Sequence, residues 1–243
     1  MVKTQSKVFF NWSGGKDSAM SLFYLKQKPE YWIECLLTSV NQEFQRISMH
    51  GVRVELLQAQ AQAVGIPLKI LYVPEKVTLP EYDQLMNRQL QEFKKKEITK
   101  AVFGDIFLED LKKYREDQLA KVGIQGIFPI WKIPTPKLAQ DFLKLGFKAI
   151  TVCVNEKFLN KSFVGRVMDK TFFKDLPKNV DPCGENGEYH SFVFDGPIFQ
   201  KPIPFKKGDI VYRRYDPPAQ NSSSEVYDTG FWYCDLLSVL SKI

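Results

Sequence analysis

Six residues near the start of the chain, Ser13-Gly14-Gly15-Lys16-Asp17-Ser18, combine the chemical groups that bind a polyphosphate. Two adjacent glycines let the backbone approach a ligand closely and adopt positive φ angles. The serines offer hydroxyl groups, Lys16 offers a cation, and Asp17 can hold a magnesium ion. A helix that begins here directs free N–H groups toward an anion. This stretch, called the phosphate loop below, therefore predicts a pyrophosphate site.

The segments that flank the phosphate loop place it between a strand and a helix. Apolar residues 8–12 precede it, and a helical pattern over residues 19–25 follows. The loop is not a Walker loop, whose glycines are spaced G-x-x-x-x-G-K-[ST], because here the glycines are adjacent and an acid lies inside the loop. A plain Gly-Gly turn capped by serines would explain the glycines alone. All six residues at a strand-to-helix junction favour the phosphate site.

Strand-like and helical segments alternate along the first half of the chain. Apolar runs predict strands over residues 32–40, 68–73 and 101–103. Helical patterns separate them over residues 51–64, 81–96 and 108–121. The alternation predicts an α/β fold with a doubly wound parallel sheet and right-handed crossovers. Ligands bind beyond the carboxyl ends of such strands, so we expect the phosphate loop and Gly104-Asp105 to face one pocket.

The second half of the chain has a different texture, with prolines and shorter strand-like runs. We predict a nucleotide-binding domain over residues 1–122 and a smaller α+β substrate domain over residues 123–215. Residues 216–243 are predicted to be a linker followed by a docked C-terminal segment. Residues 216–227 contain the Pro, Ser and Asn content of a mobile linker. The aromatic run Phe231-Trp232-Tyr233 is expected to dock on one of the domains.

Composition limits the classes of protein that fit. Of the 243 residues, 44% are hydrophobic and 26% are charged, which is typical of a soluble globular chain. No apolar run approaches the ~20 residues of a membrane span, and the N-terminus is too polar for a signal peptide. The four cysteines are scattered, which argues against zinc and disulfides and favours the reducing cytoplasm. The net charge of +6 is spread out, so we expect no nucleic-acid partner.

A second stretch with chemical potential, called the acidic loop below, is Gly184-Glu185-Asn186-Gly187-Glu188-Tyr189-His190. Its glycines permit a tight loop that presents two carboxylates and an imidazole. A carboxylate there can hold Mg²⁺, orient an amine or accept a proton. The alternative is a polar hairpin turn whose acids are solvated, and the spacing alone does not decide between the two.

The motifs carry a resemblance to known families. The pattern S-G-G-x-D-S resembles the signature of the PP-loop ATP pyrophosphatases, which cleave ATP between its α and β phosphates and transfer AMP to an oxygen of the substrate. Across residues 8–199 the chain resembles the diphthine–ammonia ligase family within that superfamily. The matching motifs lie at residues 13–18, 49–51, 65–67, 103–106, 129–131, 146–150, 165–166 and 184–189.

The resemblance implies a fold, an activity and a set of reactants. It implies an N-terminal domain of the adenine nucleotide α-hydrolase type and a smaller C-terminal domain that carries the substrate loop. It also implies that the protein uses ATP, Mg²⁺ and ammonia to convert a carboxylate to an amide. In this family that conversion is the last step in making diphthamide on a histidine of translation elongation factor two.

The acidic loop departs from the family pattern and leaves the acceptor open. Asn186 stands where the family usually has glycine, and His190 follows Tyr189. This version resembles a bacterial branch linked to cobalamin salvage, so the acceptor is either diphthine of the elongation factor or a small molecule such as a corrinoid. A PP-loop tRNA-modifying enzyme and a non-catalytic nucleotide sensor are alternatives from other classes. A homodimer stays open as well.

These interpretations assign roles to particular residues. ATP is expected to contact the phosphate loop, the backbone of Leu37 and Thr38, Met49, Gly104 and Asp105. Asp17 is also the predicted magnesium ligand and a catalytic residue. The other predicted catalytic residues are Glu185, Glu188 and Arg166, which would neutralise an anion, and the predicted substrate contacts are Asn186, Tyr189 and His190. Because an exposed loop acid contributes little to stability, Asp17→Ala is expected to stop turnover and leave the fold intact.

Overall fold

The structure is a computed structural model that describes residues 5–48, 50–215 and 229–239. Two predictions lie outside the described residues: the ATP contact of Met49 and the linker at residues 216–227.

The described residues form ten strands, six α-helices and a short 3₁₀ helix at Lys161–Phe163. The strands are β1 Ser6–Asn11, β2 Tyr31–Asn41, β3 Arg46–Ile47, β4 Leu68–Val73, β5 Lys100–Val102, β6 Gln125–Ile127, β7 Lys148–Asn155, β8 Tyr189–Asp195, β9 Phe205–Tyr215 and β10 Thr229–Ser238. The helices are α1 Lys16–Lys26, α2 Val54–Val64, α3 Leu79–Lys95, α4 Glu109–Ala120, α5 Thr135–Lys144 and α6 Lys170–Asp175. The predicted segments of the first half match these elements closely.

The first sheet is built around β1. Strand β1 lies between β2 and β5, β2 also pairs with β4, β5 also pairs with β6, and all four pairings are parallel. The short strand β3 is antiparallel to β2. The chain leaves β1 in one direction through β2 and β4 and returns on the other side through β5 and β6. The point of reversal lies between β1 and β5, which is where such sheets bind ligands.

Helices cover both faces of this sheet, which confirms the predicted doubly wound α/β class. Successive residues of β1 point to opposite faces. Phe10 packs with residues of α1 and α2, whereas Phe9 packs with residues of α3 and α4. Strand β6 begins after the boundary predicted at residue 122 and nevertheless pairs with β5 in the first sheet.

The second sheet is antiparallel, with the strand order β8-β7-β10-β9. Strand β10 pairs with β7 on one side and β9 on the other, so the aromatic run from Phe231 to Tyr233 lies inside an interior strand. The run was expected to dock on one of the domains. It lies within the second sheet itself, where its backbone supplies the hydrogen bonds that neighbouring β7 and β9 need.

The two sheets share one hydrophobic core and meet at the phosphate loop. Buried residues of both sheets, among them Phe10 and Phe192, belong to one continuous cluster. The backbone N–H of Val193 in β8 donates to the carbonyl of Gly14 at 2.9 Å. The second sheet therefore holds the loop that the first sheet presents. None of the helices in the described part of the chain combines the length and hydropathy of a membrane span.

Candidate functional site

The phosphate loop takes its shape from glycine. Strand β1 ends at Asn11 and α1 begins at Lys16, so the chain must turn within four residues. Gly14 has φ +75°, and a Cβ atom there would lie 2.5 Å from Oε1 of Gln60. A side chain at Gly14 is therefore excluded both by the backbone conformation and by space.

Gln60 on α2 fixes the loop from beneath and was missed by the sequence analysis. Its side chain is 0% exposed. Its Nε2 donates to the carbonyl oxygens of Gly14 at 2.9 Å and Val193 at 2.7 Å, and its Oε1 accepts from Nε1 of Trp12 at 3.0 Å. The available signal was an amide on the apolar face of a helix, since such a group is buried only when it is hydrogen-bonded.

Serine hydroxyls organise the entry into α1. Ser13 Oγ accepts from the backbone N–H of Gly15 at 3.3 Å and lies 3.2 Å from Ser18 Oγ. Ser18 Oγ donates to the carbonyl of Gly15 at 2.9 Å, and Ser191 Oγ in β8 accepts from the N–H of Lys16 at 3.1 Å. These bonds hold the loop, while the N-cap residue of α1, Gly15, itself makes no side-chain hydrogen bond to the helix.

Gly104, in the connection that follows β5, lies directly beside the first turn of α1. A Cβ atom at Gly104 would lie 3.0 Å from the backbone nitrogen of Ser18. Any larger residue would press against the first turn of the helix. Gly104 thus keeps open the helix end, where backbone N–H groups and the helix dipole favour an anion.

Lys16 and Asp17 form an ion pair inside the loop. Lys16 is 2% exposed, and its Nζ contacts Oδ1 of Asp17. Burial is the largest single influence and lowers the pKa of Lys16, but the charge and hydrogen bond of Asp17, together with the nearby Cys183 and Tyr189, outweigh it, so the pKa is raised and the side chain is a cation. Asp17 is therefore not a freely solvated acid, which corrects the expectation for Asp17→Ala. Removing the carboxylate would leave a buried ammonium group without its partner, which is strongly destabilising.

Three carboxylates approach one another around the loop: Asp17, Asp105 and Glu185. Asp105 follows β5, and its Oδ2 lies 2.7 Å from Nε of Arg115. Burial raises the pKa of Asp105, Arg115 opposes the rise, and the charge of Asp17 adds to it. Burial and the charge of Asp17 raise the pKa of Glu185 to about 7, although the N–H of Ile106 donates to its Oε1 at 2.9 Å and partly offsets the rise. Glu185 can therefore gain or lose a proton near neutral pH.

These groups line a cavity of about 560 Å³, which is within the range of small-molecule sites. The phosphate loop, the ends of β2 and β5, helices α3 and α4 and the acidic loop form its walls. Leu37 and Thr38, whose backbone was predicted to contact ATP, lie on the cavity wall, and Thr38 Oγ1 donates to the carbonyl of Trp12. The structure thus brings together the phosphate loop, Leu37, Thr38, Gly104, Asp105 and Glu185.

Glu188 and Asn186, which were predicted to act in catalysis and substrate binding, are not among the described residues that line the cavity. Glu188 is 1% exposed. Its carboxylate accepts from the backbone N–H of Asp181 and of Asn186, both at 2.9 Å, and from Nδ2 of Asn186 at 3.1 Å. The carboxylate closes the turn of the acidic loop on itself, because the tight turn leaves its own N–H groups without backbone partners.

Arg166 also lies away from the cavity. Its Nη2 donates to Asp175 Oδ2 at 2.8 Å, and its guanidinium group lies over the rings of Phe163 and Phe172. Those contacts hold the guanidinium group against Asp175 and two rings, and its predicted role as an anion clamp stays a prediction.

The remaining predicted substrate contacts, Tyr189 and His190, do line the cavity. The Tyr189 hydroxyl donates to the carbonyl of Pro182 at 2.6 Å. The rings of His190 and His50 are 4.6 Å apart, and Nδ1 of His50 lies 3.3 Å from the carbonyl oxygen of Ser191. Burial lowers the pKa of His50 to about 4 and that of His190, beside it, to about 3. Both imidazoles are neutral at pH 7.

The donor set fits a magnesium ion that arrives with a polyphosphate. Among the described residues there is no cluster of three or more acids, histidines or cysteines that would hold a metal by itself. Mg²⁺ is commonly bound by one or two carboxylates together with phosphate oxygens. Asp17, Asp105 and Glu185 supply such carboxylates beside the anion-binding end of α1.

Comparison with known proteins identifies matches over most of the chain. Residues 6–126 match the family profile described as the diphthamide synthase N-terminal domain, and residues 134–216 match that of the diphthamide synthase C-terminal domain.

Similar proteins include three named diphthine–ammonia ligase. The Bos taurus protein is 23% identical over 186 residues, which cover 71% of this chain and 68% of the relative. The Homo sapiens protein is 23% identical over 188 residues, with the same shares. The Schizosaccharomyces pombe protein is 28% identical over 131 residues, which cover 52% of this chain and 20% of the relative. The chain thus spans a fifth of the length of the fission yeast protein.

Proposed function

The chain belongs to the diphthamide synthase family, and on that premise we propose that it is an ATP-dependent ligase that forms an amide from a carboxylate and ammonia. AMP and pyrophosphate are the nucleotide products. The acceptor is a diphthine-like carboxylate, since the relatives are named diphthine–ammonia ligase. The resemblance that the sequence motifs suggested is confirmed at the level of the family.

One observation carries the proposal: the phosphate loop lies at the point where the first sheet reverses direction, beside the start of α1, whose N-cap residue Gly15 has no side chain to occupy the anion site. The turn within four residues, the cation of Lys16 and the open N–H groups of α1 suit the β and γ phosphates of ATP. Lys16 is already charged and fixed by Asp17, so binding costs little side-chain reorganisation.

In the first step the acceptor carboxylate attacks the α phosphorus of ATP. The bond between the α phosphorus and the oxygen that bridges to the β phosphate breaks, and pyrophosphate leaves on the phosphate loop. Lys16 and the N–H groups of α1 stabilise the charge that develops on the leaving group. A magnesium ion held by Asp17 would neutralise phosphate charge during this step. Gly104 and Leu37 shape the walls within which the nucleotide is oriented.

In the second step ammonia attacks the acyl carbon of the mixed anhydride. The carbon–oxygen bond to AMP breaks, the amide forms, and the nitrogen must lose a proton. Glu185 has the position and the proton affinity for this task, because its carboxyl group faces the cavity with a pKa of about 7. A general base whose pKa is near the working pH is the most effective.

The proposed reaction is tested by identifying the products formed from labelled ATP. With ATP labelled at the α phosphate, an acceptor and ammonium, we expect AMP in step with pyrophosphate. The release of ADP and orthophosphate would contradict the proposed reaction. Asp17→Asn, which retains a polar partner for Lys16, should reduce AMP formation by about a hundredfold or more. Asp117→Asn, the same substitution at an exposed site on α4, serves as the control.

The acceptor itself is tested by supplying candidates separately. Elongation factor two that carries diphthine is expected to support ammonia-dependent AMP release. Release that requires a corrinoid acid instead would place the chain with a cobalamin-salvage activity, and release that requires bulk tRNA would make it a tRNA-modifying enzyme.

A further inference from the structure

The chain between the start of β3 and the start of α2, residues 46–53, connects the cavity to the second sheet and is called the wall loop below. Its two ends are joined by an isolated antiparallel bridge between Arg46 and Arg53. The side chains of both arginines contact one carboxylate, that of Asp235 in β10. Between these ends the wall loop contributes three described residues to the cavity lining, Ile47, Ser48 and His50.

Asp235 accepts hydrogen bonds from both ends of the wall loop at once. Arg53 donates from Nη2 to Oδ2 at 2.7 Å and from Nε to Oδ1 at 3.1 Å. Arg46 donates from Nη1 to the same Oδ1 at 2.8 Å and to the carbonyl of Gly51 at 2.6 Å. Two bonds from one guanidinium group fix the direction of a carboxylate as well as its distance. The three charged side chains, called the Asp235 ion cluster below, therefore hold the wall loop closed and attach it to β10.

The Asp235 ion cluster is better shielded from water than a typical surface ion pair, since the side chain of Asp235 is 18% exposed. Burial raises the pKa of Asp235, but the hydrogen bonds and charges of Arg53 and Arg46 outweigh burial, and the pKa is lowered to about 2. The carboxylate is therefore charged at neutral pH. Without that charge, two cations would remain side by side in the wall loop and would repel each other.

An irregularity in the second sheet lies at the residue that forms this cluster. The pairing of β10 with β9 shifts register between Cys234 and Leu236, on either side of Asp235. A Cβ atom at Gly208 in β9 would lie 3.3 Å from the Cβ atom of Asp235, so glycine leaves room for the shift. Bulges of this kind change the direction of a side chain and are frequent beside functional sites.

The wall loop lies between β10 and the phosphate loop. On the side of β10, a Cβ atom at Gly51 would lie 3.1 Å from Cδ1 of Tyr233. On the side of the phosphate loop, a Cβ atom at Gly15 would lie 3.0 Å from Cε1 of His50. Gly15 is the N-cap residue of α1, where the proposed phosphate site begins. A shift of the wall loop would therefore change the space in which the phosphates bind.

We propose that Asp235 is a positioning residue for nucleotide binding, which holds the wall loop beside the phosphate loop through Arg46 and Arg53. The inference rests on the proposed function, because it takes ATP as the ligand of the cavity. Strand β10 begins at Thr229, beyond residue 216, where the match to the diphthamide synthase C-terminal domain ends. A segment outside both matched domains thus completes a site that lies within them. Because coupling is reciprocal, a nucleotide that fixes the wall loop also stabilises β10.

The first measurement is the dissociation constant of a non-hydrolysable ATP analogue, determined by calorimetry on the full chain. Asp235→Asn keeps the shape and removes the charge, and it should raise the dissociation constant about tenfold or more. Asp235→Glu restores the charge and should stay within a few-fold of wild type. Asp209→Asn is the control, because it removes an exposed carboxylate from the neighbouring strand β9, and it should leave the affinity unchanged.

The rate of AMP formation separates positioning from chemistry. Asp235 is not among the described residues that line the cavity. At saturating ATP, Asp235→Asn should therefore form AMP at nearly the wild-type rate, so that KM for ATP changes and kcat does not. If Asp235→Asn fails to fold, Arg53→Lys replaces it. That variant keeps the cation, loses the two bonds from one guanidinium group, and should also raise KM for ATP.

The second measurement is hydrogen–deuterium exchange in β10, with and without a saturating concentration of the ATP analogue. In the wild type the analogue should slow exchange in β10, because binding at the cavity and the position of β10 are coupled. In Asp235→Asn saturated with the analogue, that slowing should be lost. A substitution that only destabilised the fold would speed exchange in both states and would leave the effect of the analogue in place.

Several outcomes would overturn the inference. An unchanged dissociation constant in folded Asp235→Asn would, and so would equal losses of affinity in Asp235→Asn and Asp209→Asn. Equal slowing of exchange in wild type and Asp235→Asn would contradict the coupling, and a fall in kcat alone would contradict a role in nucleotide binding. Release of ADP from labelled ATP would instead refute the proposed reaction while the effect of Asp235→Asn on the affinity for the analogue remained, so the two failures are distinguishable.

Discussion

The phosphate loop and the acidic loop both line the cavity but are stabilised in different ways. The phosphate loop is held from outside, by Gln60 of α2 and by Ser191 and Val193 of β8. The acidic loop is organised mainly by one of its own residues, because Glu188 accepts hydrogen bonds from the N–H of Asn186 within the loop and of Asp181 just before it. Residues of the acidic loop therefore divide into one that supports the turn, Glu188, and one that faces the site, Glu185.

The largest loss of nucleotide affinity is expected at Gly14, where the side chain of Gln60 leaves no space for a Cβ atom. Gly14→Ala forces both a disfavoured φ of +75° and a Cβ atom 2.5 Å from Gln60 Oε1. Calorimetry should show at least a hundredfold loss of affinity for an ATP analogue, because the loop must shift to relieve the contact. Gly187→Ala in the acidic loop is the matched variant, since its φ is +81° and nothing lies within 4 Å of an added Cβ atom. It should cost only backbone strain, about 1–2 kcal/mol in the free energy of unfolding. Equal losses of affinity in both variants would refute the distinction between the loops.

Glu185→Gln tests the residue that faces the cavity. It should reduce ammonia-dependent AMP release by about a hundredfold and leave the affinity for the ATP analogue within a few-fold, since a general base is lost and the shape is kept. The measurement is the rate of AMP formation at saturating ATP.

The pH dependence of activity in the wild type and in Glu185→Gln provides a further test of the role of Glu185. Wild-type activity should rise through about pH 7, where Glu185 loses its proton, and the Gln variant should lack that step. Protein stability should change in the opposite direction, falling as the pH rises. The pKa of Glu185 is raised above the unfolded value near 4.5, so its contribution is fully present below pH 4.5 and is lost as the pH rises through about 7. The melting temperature of Glu185→Gln relative to wild type should therefore increase between pH 4.5 and 7, and a difference that stays constant would contradict the assignment.

Glu188→Gln should act on stability more than on chemistry. The amide keeps the shape but turns one acceptor into a donor that faces backbone N–H groups, which costs about 1–3 kcal/mol for a buried unsatisfied group. Urea denaturation should detect the loss, and nucleotide affinity should change little. A variant of normal stability that had lost turnover would return Glu188 to the catalytic role first predicted for it.

Arg166→Ala is expected to have the smallest effect on catalysis. Its ion pair with Asp175 is partly exposed and its ring contacts are peripheral to the cavity, so the loss should be about 1 kcal/mol of stability. Turnover measured below the melting temperature should match wild type. A large drop in kcat without a change in stability would show that Arg166 reaches the acceptor during the reaction.

The sequence was sufficient for the fold class and the phosphate loop for a local reason. Alternating strand and helix periodicities, and six residues at a strand-to-helix junction, are properties of neighbouring positions. The position of Gly104 and Asp105 beside the phosphate loop could be predicted as well, because the carboxyl ends of parallel strands meet at one edge. Strand β10 could not be assigned to the interior of the second sheet, since its pairing with β7 and β9 depends on contacts far apart in the chain.

What the tertiary structure alone decided is the direction of individual side chains. Sequence spacing gave Glu185 and Glu188 equal claims to the site, and the folded turn separated them by satisfying its own N–H groups with Glu188. Arg166 had the right charge for an anion, but folding placed it beside Asp175. Gln60 carried no motif, and its role emerged only when distant segments packed against it. Residue type and local order determine what chemistry is available, whereas burial and hydrogen-bond partners determine which residues remain free to perform it.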